Sequence, residues 1–196
     1  TSAPAYKVPN TRVPKRVRDS DTVLLEFCCS PDSELCKTAE DHGIQYLRLN
    51  QAFADLTDPA SIEQVIYWIS EQKRVHLHGS LPCTAWSSWQ HMSVAKYGEA
   101  YLNRLKQRRM DSLLLVKHFR LVAEAVKSHG GTISFEWPRY CYGWIQPPVM
   151  SMIRDLGLEE ALCDGCAFDL KHEGRSVYKP WRIVTDHHFL AENLSN

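Results

Sequence analysis

Short apolar runs alternate along the chain with longer amphipathic segments, and this alternation predicts strands separated by helices. The predicted strands are TVLLEFC, IQYLRL, RVHLHGSLP and GTISFEWP, followed by two closing strands in ALCDGCAFDL and KPWRIVTD. Each run has the length and the flanking turn residues of a buried strand. The predicted helices lie over residues 30–42, 59–72, 99–128 and 147–156.

Local signals place the ends of these helices. Ser30 is predicted to cap the first helix, because a serine side chain accepts a hydrogen bond from a free backbone N–H, and Pro31 suits the first helical position. Gly43 is predicted to end this helix. The pair Gly130 and Gly131 ends the longest helix, whose apolar side consists of leucines and valines.

Strands that alternate with helices predict an α/β fold with a doubly wound sheet and helices on both faces. We assign one domain of this kind to residues 21–196. Residues 1–20 contain three prolines and a basic run at Lys15, Arg16 and Arg18, without a hydrophobic period. They are predicted to form an extended arm, either as a disordered leader or as a contact to phosphate.

Composition narrows the class of protein. The chain has 196 residues, of which 44 % are apolar, enough for one domain with a sizeable core. No apolar run approaches the roughly 20 residues of a membrane span, so no membrane partner is expected. Equal numbers of basic and acidic residues, 23 each, mean that any basic surface is local.

The number of cysteines indicates the cellular compartment in which the protein is expected. Seven cysteines, an odd number without regular spacing, favour a reduced intracellular protein, nuclear or cytoplasmic. Thr1 in place of an initiator methionine is consistent with a segment of a longer polypeptide that contains further domains.

Three motifs follow predicted strands and carry the candidate chemistry. They are Phe27-Cys28-Cys29-Ser30, Pro82-Cys83 and Glu136-Trp137-Pro138. In a doubly wound sheet, ligands bind beyond the carboxyl ends of the strands. The three motifs are therefore predicted to meet at one rim and to form an active site there.

Cys83 and Glu136 are the candidate reactive groups. A cysteine attacks as its thiolate, which a nearby cation or a helix N-terminus favours; the alternative is an inert, packed thiol. A carboxyl among aromatic side chains can donate a proton or hydrogen-bond the edge of a base. The alternative for Glu136 is an ion pair with Arg139.

Other polar clusters allow weaker interpretations. Cys163 and Cys166 have a zinc-like spacing, but no second tight pair follows, so no metal is predicted. His76 and His78 share one face of a strand and are either metal ligands or satisfied core histidines; with Cys83 they also suggest a hydrolase. The basic cluster on the long helix is either a solvated face or a nucleic-acid contact, and it consists of Lys106, Arg108 and Arg109.

In their order along the chain and in their residues, these motifs resemble those of the cytosine-C5 DNA methyltransferases, above all the short phage-type members. The resemblance rests on LLEFCCSPDS, ADLTDP, SLPCTAWS, FEWP and KPWRI, and it spans about residues 22–186. The chain is also similar to methyltransferase-like segments of protist retroelement polyproteins. The resemblance implies a Rossmann-like methyltransferase sheet, S-adenosylmethionine as cofactor and nucleic acid, DNA before RNA, as partner.

The resemblance also implies roles for single residues. Cys83 would attack C6 of a cytosine that has left the base stack, Glu136 would hold the base at N3, and Arg182 would contact the base carbonyl or a phosphate. The remaining roles are divided between cofactor and base: Phe27, Asn50, Asp55 and Pro82 would bind the cofactor, and Ser80, Thr84, Trp86 and Ser87 would surround the base, with Trp89 as a further stacking candidate.

Two departures from the family favour an alternative. The first turn, FCCSPDS, lacks the glycines that let a backbone approach the cofactor, and Trp137 replaces the asparagine that positions the Pro-Cys loop. No separate target-recognition domain fits between FEWP and KPWRI. The alternative is a catalytically degenerate module that binds nucleic acid or a protein.

Overall fold

The computed structural model describes residues 22–195, so the predicted arm over residues 1–20 lies outside the described residues. Six strands form one sheet in the order β2-β1-β3-β4-β8-β5. Their bounds are β1 Thr22–Phe27, β2 Gln45–Leu49, β3 Arg74–Gly79, β4 Thr132–Pro138, β5 Glu159–Asp164 and β8 Pro180–Thr185. The predicted α/β class is confirmed.

Five helices accompany the sheet in the described part of the chain. Between β5 and β8 the chain also forms a small hairpin of two strands, β6 Lys171–His172 and β7 Arg175–Ser176. The helices are α1 Glu34–Asp41, α2 Pro59–Ser70, α3 Trp89–Ser128, α4 Pro147–Leu156 and α5 His188–Leu194. The hairpin and α5 were not predicted.

Strand direction shows where the sheet changes sense. Strands β2, β1, β3 and β4 are parallel, whereas β8 runs antiparallel between β4 and β5. The chain passes from β1 to β2 on one side and then crosses back to β3 on the other side of β1. This arrangement is compatible with a Rossmann-like fold, and its strand order reverses between β1 and β3.

The first helix begins later than predicted. Its cap is Ser33 rather than Ser30, because the Ser33 Oγ accepts from the Cys36 backbone N–H at 3.3 Å. The same hydroxyl donates to the carboxylate of Glu26 in β1, which also accepts from the Cys36 thiol at 2.9 Å. The buried Glu26 therefore ties the start of α1 to the sheet.

The long helix begins earlier than predicted and contains a break. It starts at Trp89 instead of Glu99, and Gly98 interrupts it with φ +66° and ψ −154°. This left-handed φ is one that glycine adopts without steric cost. The prediction found the segment after Gly98 and missed the segment before it, residues 89–97.

The two faces of the sheet differ in cover. Helices α2, α3 and α4 pack on one face, where Leu25, Leu77 and Phe135 are fully buried. On the other face a smaller cluster joins β1 to α1 through Leu24, Cys36 and Ala39. Between α1 and α5 the second face remains accessible as a groove of about 780 Å³, which we call the open-face groove.

Two global observations accompany the fold. All seven cysteines are free thiols. No helix within residues 22–195 combines the length and the hydrophobicity that crossing a membrane requires.

Candidate functional site

The Pro82-Cys83 loop leaves the carboxyl end of β3 and continues into one 3-10 turn, Thr84–Trp86. Buried hydrogen bonds hold it from two sides. The Trp137 indole donates to the Leu81 carbonyl at 2.7 Å, and the Trp86 indole donates to Ser112 Oγ of α3 at 2.8 Å. Two tryptophans therefore fix the backbone on both sides of Cys83.

The helix that follows the loop adds further anchors. The Arg109 guanidinium donates to the Ala85 carbonyl at 3.2 Å and lies over the Trp86 ring. The Gln90 amide donates to the Thr84 carbonyl at 2.7 Å and accepts from the Tyr101 hydroxyl at 2.6 Å. Arg109, predicted within a basic cluster, thus also positions the loop.

Cys83 is half-buried and has charged neighbours of both signs. Burial raises the pKa of the Cys83 thiol, and the negative charge of Glu136 adds to the rise. The positive charge of Lys179 and a backbone hydrogen bond lower that pKa. Cys83, Glu136 and Lys179 therefore share one electrostatic environment, in which burial outweighs the backbone hydrogen bond and the charge of the lysine.

Glu136 belongs to a chain of hydrogen bonds on the open face of the sheet. Its carboxylate accepts from Ser80 Oγ at 3.2 Å, and Ser80 Oγ lies 3.1 Å from His78 Nε2. Arg139, the alternative partner in the sequence, is instead paired with Asp164 at 2.9 Å. The carboxylate is thus held by a hydroxyl.

The chain continues from His78 along β3 and β4. Ser134 Oγ lies 2.8 Å from His78 Nδ1 and 3.0 Å from His76 Nε2, and His76 Nδ1 lies 2.7 Å from Thr132 Oγ1. We call this series, from Thr132 to Glu136, the polar relay. It satisfies His76 and His78 without a metal.

The protons of the polar relay have one consistent direction. When Glu136 is ionised, Ser80 donates its only proton to the carboxylate, and Ser80 must accept from His78 Nε2–H. His78 Nδ1 then accepts from Ser134, which accepts from His76 Nε2–H in turn. Burial, together with the charges of His78 and His187, lowers the pKa of His76 to about 4, which agrees with a neutral ring.

A crevice of about 450 Å³ lies at the point where the strand order reverses. Three predicted cofactor residues line it, Asn50, Asp55 and Pro82. The fourth, Phe27, is fully buried and packs edge-on against Phe119, so its ring does not reach the crevice. The size is that of a small-molecule site.

The polar side chains of the crevice are partly occupied by the turn after β2. Asn50 Oδ1 accepts from the backbone N–H groups of Ala52 and Phe53 at 3.0 and 3.2 Å. Asp55 Oδ1 accepts from the hydroxyl and N–H of Thr57, which lowers the pKa of Asp55. An ionised carboxylate and the Asn50 Nδ2 group therefore serve as acceptor and donor at the crevice.

The glycine-free turn keeps a glycine-like backbone. Cys28 has φ +63°, and its N–H donates to the Leu49 carbonyl at 2.8 Å. Only glycine adopts this region without cost, and other residues lose about 1–2 kcal/mol. Cys28 also lines the crevice, so a residue with a side chain holds this left-handed conformation at the edge of the crevice.

The predicted base-binding residues differ in their exposure and in their contacts. Ser80 contacts Glu136, Thr84 is exposed and Ser87 is half-buried. Trp86 is buried with 3 % of its surface exposed, so its ring packs within the domain and does not stack on a base. Trp89, the further candidate, is exposed.

Arg182 does not join Cys83 and Glu136. In the antiparallel register Trp137 lies opposite Arg182, whereas Glu136 lies opposite Ile183. Directly opposed residues share a face of the sheet, so Arg182 and Glu136 point to opposite faces. Its guanidinium is paired with Glu160 and lies over the Trp144 ring.

The structure adds roles that the sequence did not assign. Lys179, directly before β8, acts on Cys83 through its charge, and Trp137 holds the loop through the Leu81 carbonyl. Lys179 stood within the quoted segment KPWRI, which is a usable signal, whereas the bond from Trp137 to Leu81 spans 56 residues and has no local signature.

The zinc-like pair Cys163 and Cys166 is divided between the interior and the surface. Cys163 is buried and Cys166 exposed. Within residues 22–195 no group of three histidine, cysteine or acidic side chains is arranged to hold an ion.

Comparison of the chain with protein-family models, with curated protein sequences and with solved structures gave no significant match.

Proposed function

We propose that the protein transfers a methyl group from S-adenosylmethionine to C5 of cytosine in nucleic acid, DNA before RNA, with Cys83 as nucleophile. The observation that carries the proposal is the position of the Pro-Cys loop. It lies between the crevice, which Pro82 lines, and Glu136, whose charge acts on the Cys83 thiol. A cofactor and a base could thus meet at one strand end.

The crevice fits the cofactor in size and in donor set. Asp55 offers a carboxylate to an amine or a hydroxyl, Asn50 offers Nδ2, and Pro82 offers an apolar wall. When bound, S-adenosylmethionine supplies the methyl group as an electrophile. Under this proposal the fold is a doubly wound methyltransferase sheet.

The chain's own residues would act on the base. The Cys83 thiolate bonds to C6 while the Glu136 carboxyl gives its proton to N3, so the electrons of the C5–C6 double bond move toward the ring nitrogen. C5 would then form its bond to the methyl group, while the sulfur–methyl bond breaks and its electron pair stays on the sulfur of the leaving S-adenosylhomocysteine. Loss of the C5 proton to solvent restores the double bond and expels the Cys83 thiolate, and N3 returns its proton to Glu136.

Lys179 and Trp137 would support this chemistry. Lys179 stabilises the thiolate that burial disfavours. Trp137 holds the Leu81 carbonyl and so performs the positioning that the family assigns to an asparagine. Arg182, predicted to act on the base, has no part in this mechanism because it lies on the other face.

The experiment has two stages with separate readouts. Calorimetry with S-adenosylhomocysteine tests the crevice, and micromolar binding is expected. A covalent trap on DNA that contains 5-fluorocytosine then tests Cys83: Cys83→Ser should abolish the adduct, whereas Cys166→Ser, at an exposed cysteine outside the site, should retain it. Absence of cofactor binding or of the adduct would refute the proposal.

A degenerate binding module is the second candidate, and one pair of observations favours it. Cys28, which has a side chain where the resemblance expects glycine, lines the crevice, and burial disfavours the Cys83 thiolate. This candidate predicts nucleic-acid or protein binding without cofactor binding and without an adduct.

A further inference from the structure

A second groove, of about 610 Å³, lies beside the Pro82-Cys83 loop. Two helical segments and a 3-10 turn, Tyr142–Ile145, form it. We call it the loop-side groove. The residues that matter for its chemistry are His91, Lys106, Arg109, Met110, Tyr142 and Ile145.

The charge of the loop-side groove has one sign. Lys106 and Arg109 are cations, and none of its lining residues is acidic. Residues 89–111, which contribute four of its nine lining residues, contain five basic and two acidic residues, a net charge of +3, although the whole chain has a net charge of zero. The open-face groove, by contrast, contains Glu26 and Glu136.

Apolar and aromatic surface lies between these cations. Tyr142 packs edge-on against His91 with ring centroids 5.5 Å apart, and Met110 and Ile145 are exposed. A basic groove with exposed rings is the arrangement that binds unpaired nucleic-acid strands, since phosphates contact the cations and bases stack on the rings. In a duplex the base faces are already stacked on each other.

The groove is also connected to the reactive loop. Trp86, three residues after Cys83, forms part of its lining, and Arg109 is hydrogen-bonded to the Ala85 carbonyl. A nucleic-acid strand that lies in the groove is therefore next to the loop that carries Cys83.

We infer that the loop-side groove binds a single-stranded or locally unpaired nucleic-acid strand and delivers it to Cys83. The identity of this strand as the substrate rests on the proposed function, whereas its binding does not. The groove takes the place of a separate recognition domain, through backbone charge and stacking rather than through base-edge readout.

The first arm of the test concerns charge. Fluorescence anisotropy measures binding of the full 196-residue chain to a labelled, cytosine-containing 12-nucleotide strand at several salt concentrations. Lys106→Ala should weaken binding about five-fold at 0.1 M salt and reduce the slope of log K against log salt by about 0.7. Arg108→Ala is the matched control, because Arg108 is exposed on the same helix but does not line the groove.

The second arm concerns stacking. Tyr142→Leu keeps apolar bulk and removes the ring, and it should weaken binding about five-fold or more. Tyr140→Leu, at a more exposed tyrosine outside the groove, should leave affinity unchanged. Equal losses in each variant and its control, or tighter binding of the matched duplex than of the single strand, would overturn the inference.

Failure of this inference can be distinguished from failure of the proposed function. Strand binding that depends on Lys106 and Tyr142, without an adduct at Cys83, would leave the groove assignment intact and refute the chemistry. A Cys83 adduct whose yield does not change in Lys106→Ala and Tyr142→Leu would refute the groove assignment and leave the chemistry intact.

Discussion

The two faces of the central sheet differ in what they contain: one holds packed aromatic side chains, and the other holds hydrogen-bonded polar groups. On the covered face, Phe135 and Trp137 of β4 pack against each other and against Trp144 with ring centroids 4.9 to 5.6 Å apart. On the open face, Ser134 and Glu136 of the same strand take part in the polar relay. Because side chains alternate along a strand, one strand serves both functions.

This difference separates apolar packing from hydrogen-bonded polar groups within a small domain. The covered face holds most of the buried apolar surface, and the open face holds polar groups that are satisfied by one another. Changes to the two faces should therefore have effects of different size and kind, and the following experiments measure that difference.

The largest expected effect is on the free energy of unfolding, and it is seen by comparing two adjacent residues of β4 that point to opposite faces of the sheet. Trp137→Ala should lower the free energy of unfolding by about 3–5 kcal/mol, because it leaves a cavity and removes the bond to the Leu81 carbonyl. Glu136→Gln should lower it by less than about 1 kcal/mol. Urea denaturation of both variants checks this, and similar losses would mean that the faces are not distinct.

The next effect is a loss of stability in acid, which arises from the open face. The pKa of His76 is about 4 in the folded protein and about 6.5 in the unfolded chain. Because the unfolded chain binds a proton first as the pH falls, the folded state loses about 2 kcal/mol between pH 7 and pH 5 through this residue.

His76→Gln should remove that part of the pH dependence. Urea midpoints measured at pH 7 and pH 5 provide the readout, and His172→Gln, in the exposed hairpin, is the control. An unchanged difference between the two midpoints in His76→Gln would show that the ring is not buried as a neutral group.

A smaller effect is expected at the turn after β1, which lines the crevice. Cys28→Gly should change stability by no more than about 1 kcal/mol, because relief of the left-handed backbone offsets lost burial. It should also strengthen binding of S-adenosylhomocysteine in calorimetry. Cys29→Gly is the control: Cys29 is buried without a positive φ, so glycine there should only destabilise.

The smallest effect concerns thiol reactivity. Lys179→Ala should slow alkylation of Cys83 by iodoacetamide at pH 7.5 about two- to five-fold, and Glu136→Gln should accelerate it, because the two charges act on the Cys83 pKa in opposite directions. Mass spectrometry of the Cys83 peptide separates this thiol from the other six. A change of the same sign in both variants would contradict the shared environment.

Local signals predicted much of the fold. The helix predicted over residues 147–156 is α4 Pro147–Leu156, because proline starts it and Gly157, at φ +63°, ends it. The first cap was wrong for an instructive reason. Ser30 and Ser33 are both good caps, and the choice between them depends on Glu26, a residue of the neighbouring strand that no local rule includes.

The candidate site could be predicted only in part. Strand order predicts which motifs meet at one rim of the sheet, but the pairing register of the strands decides to which face of the sheet each side chain points. Cys83 and Glu136 were predicted to meet from the ends of their strands, and the charge of Glu136 acts on Cys83 in the structure. Arg182 was assigned to the same site, but the antiparallel pairing with Trp137 places it on the other face. The polar relay and the anchoring role of Trp137 depend on contacts between distant segments, which a single sequence does not reveal.

The break at Gly98 has a consequence for protein engineering. Gly98 is exposed at the junction of the two segments of α3, and an added Cβ there would meet no atom within 4 Å. Exposed tips of this kind are sites where inserted domains are tolerated. A domain inserted at Gly98 would lie at the far end of the segment that begins beside the Cys83 loop, and it would leave the central sheet and the remaining helices uninterrupted.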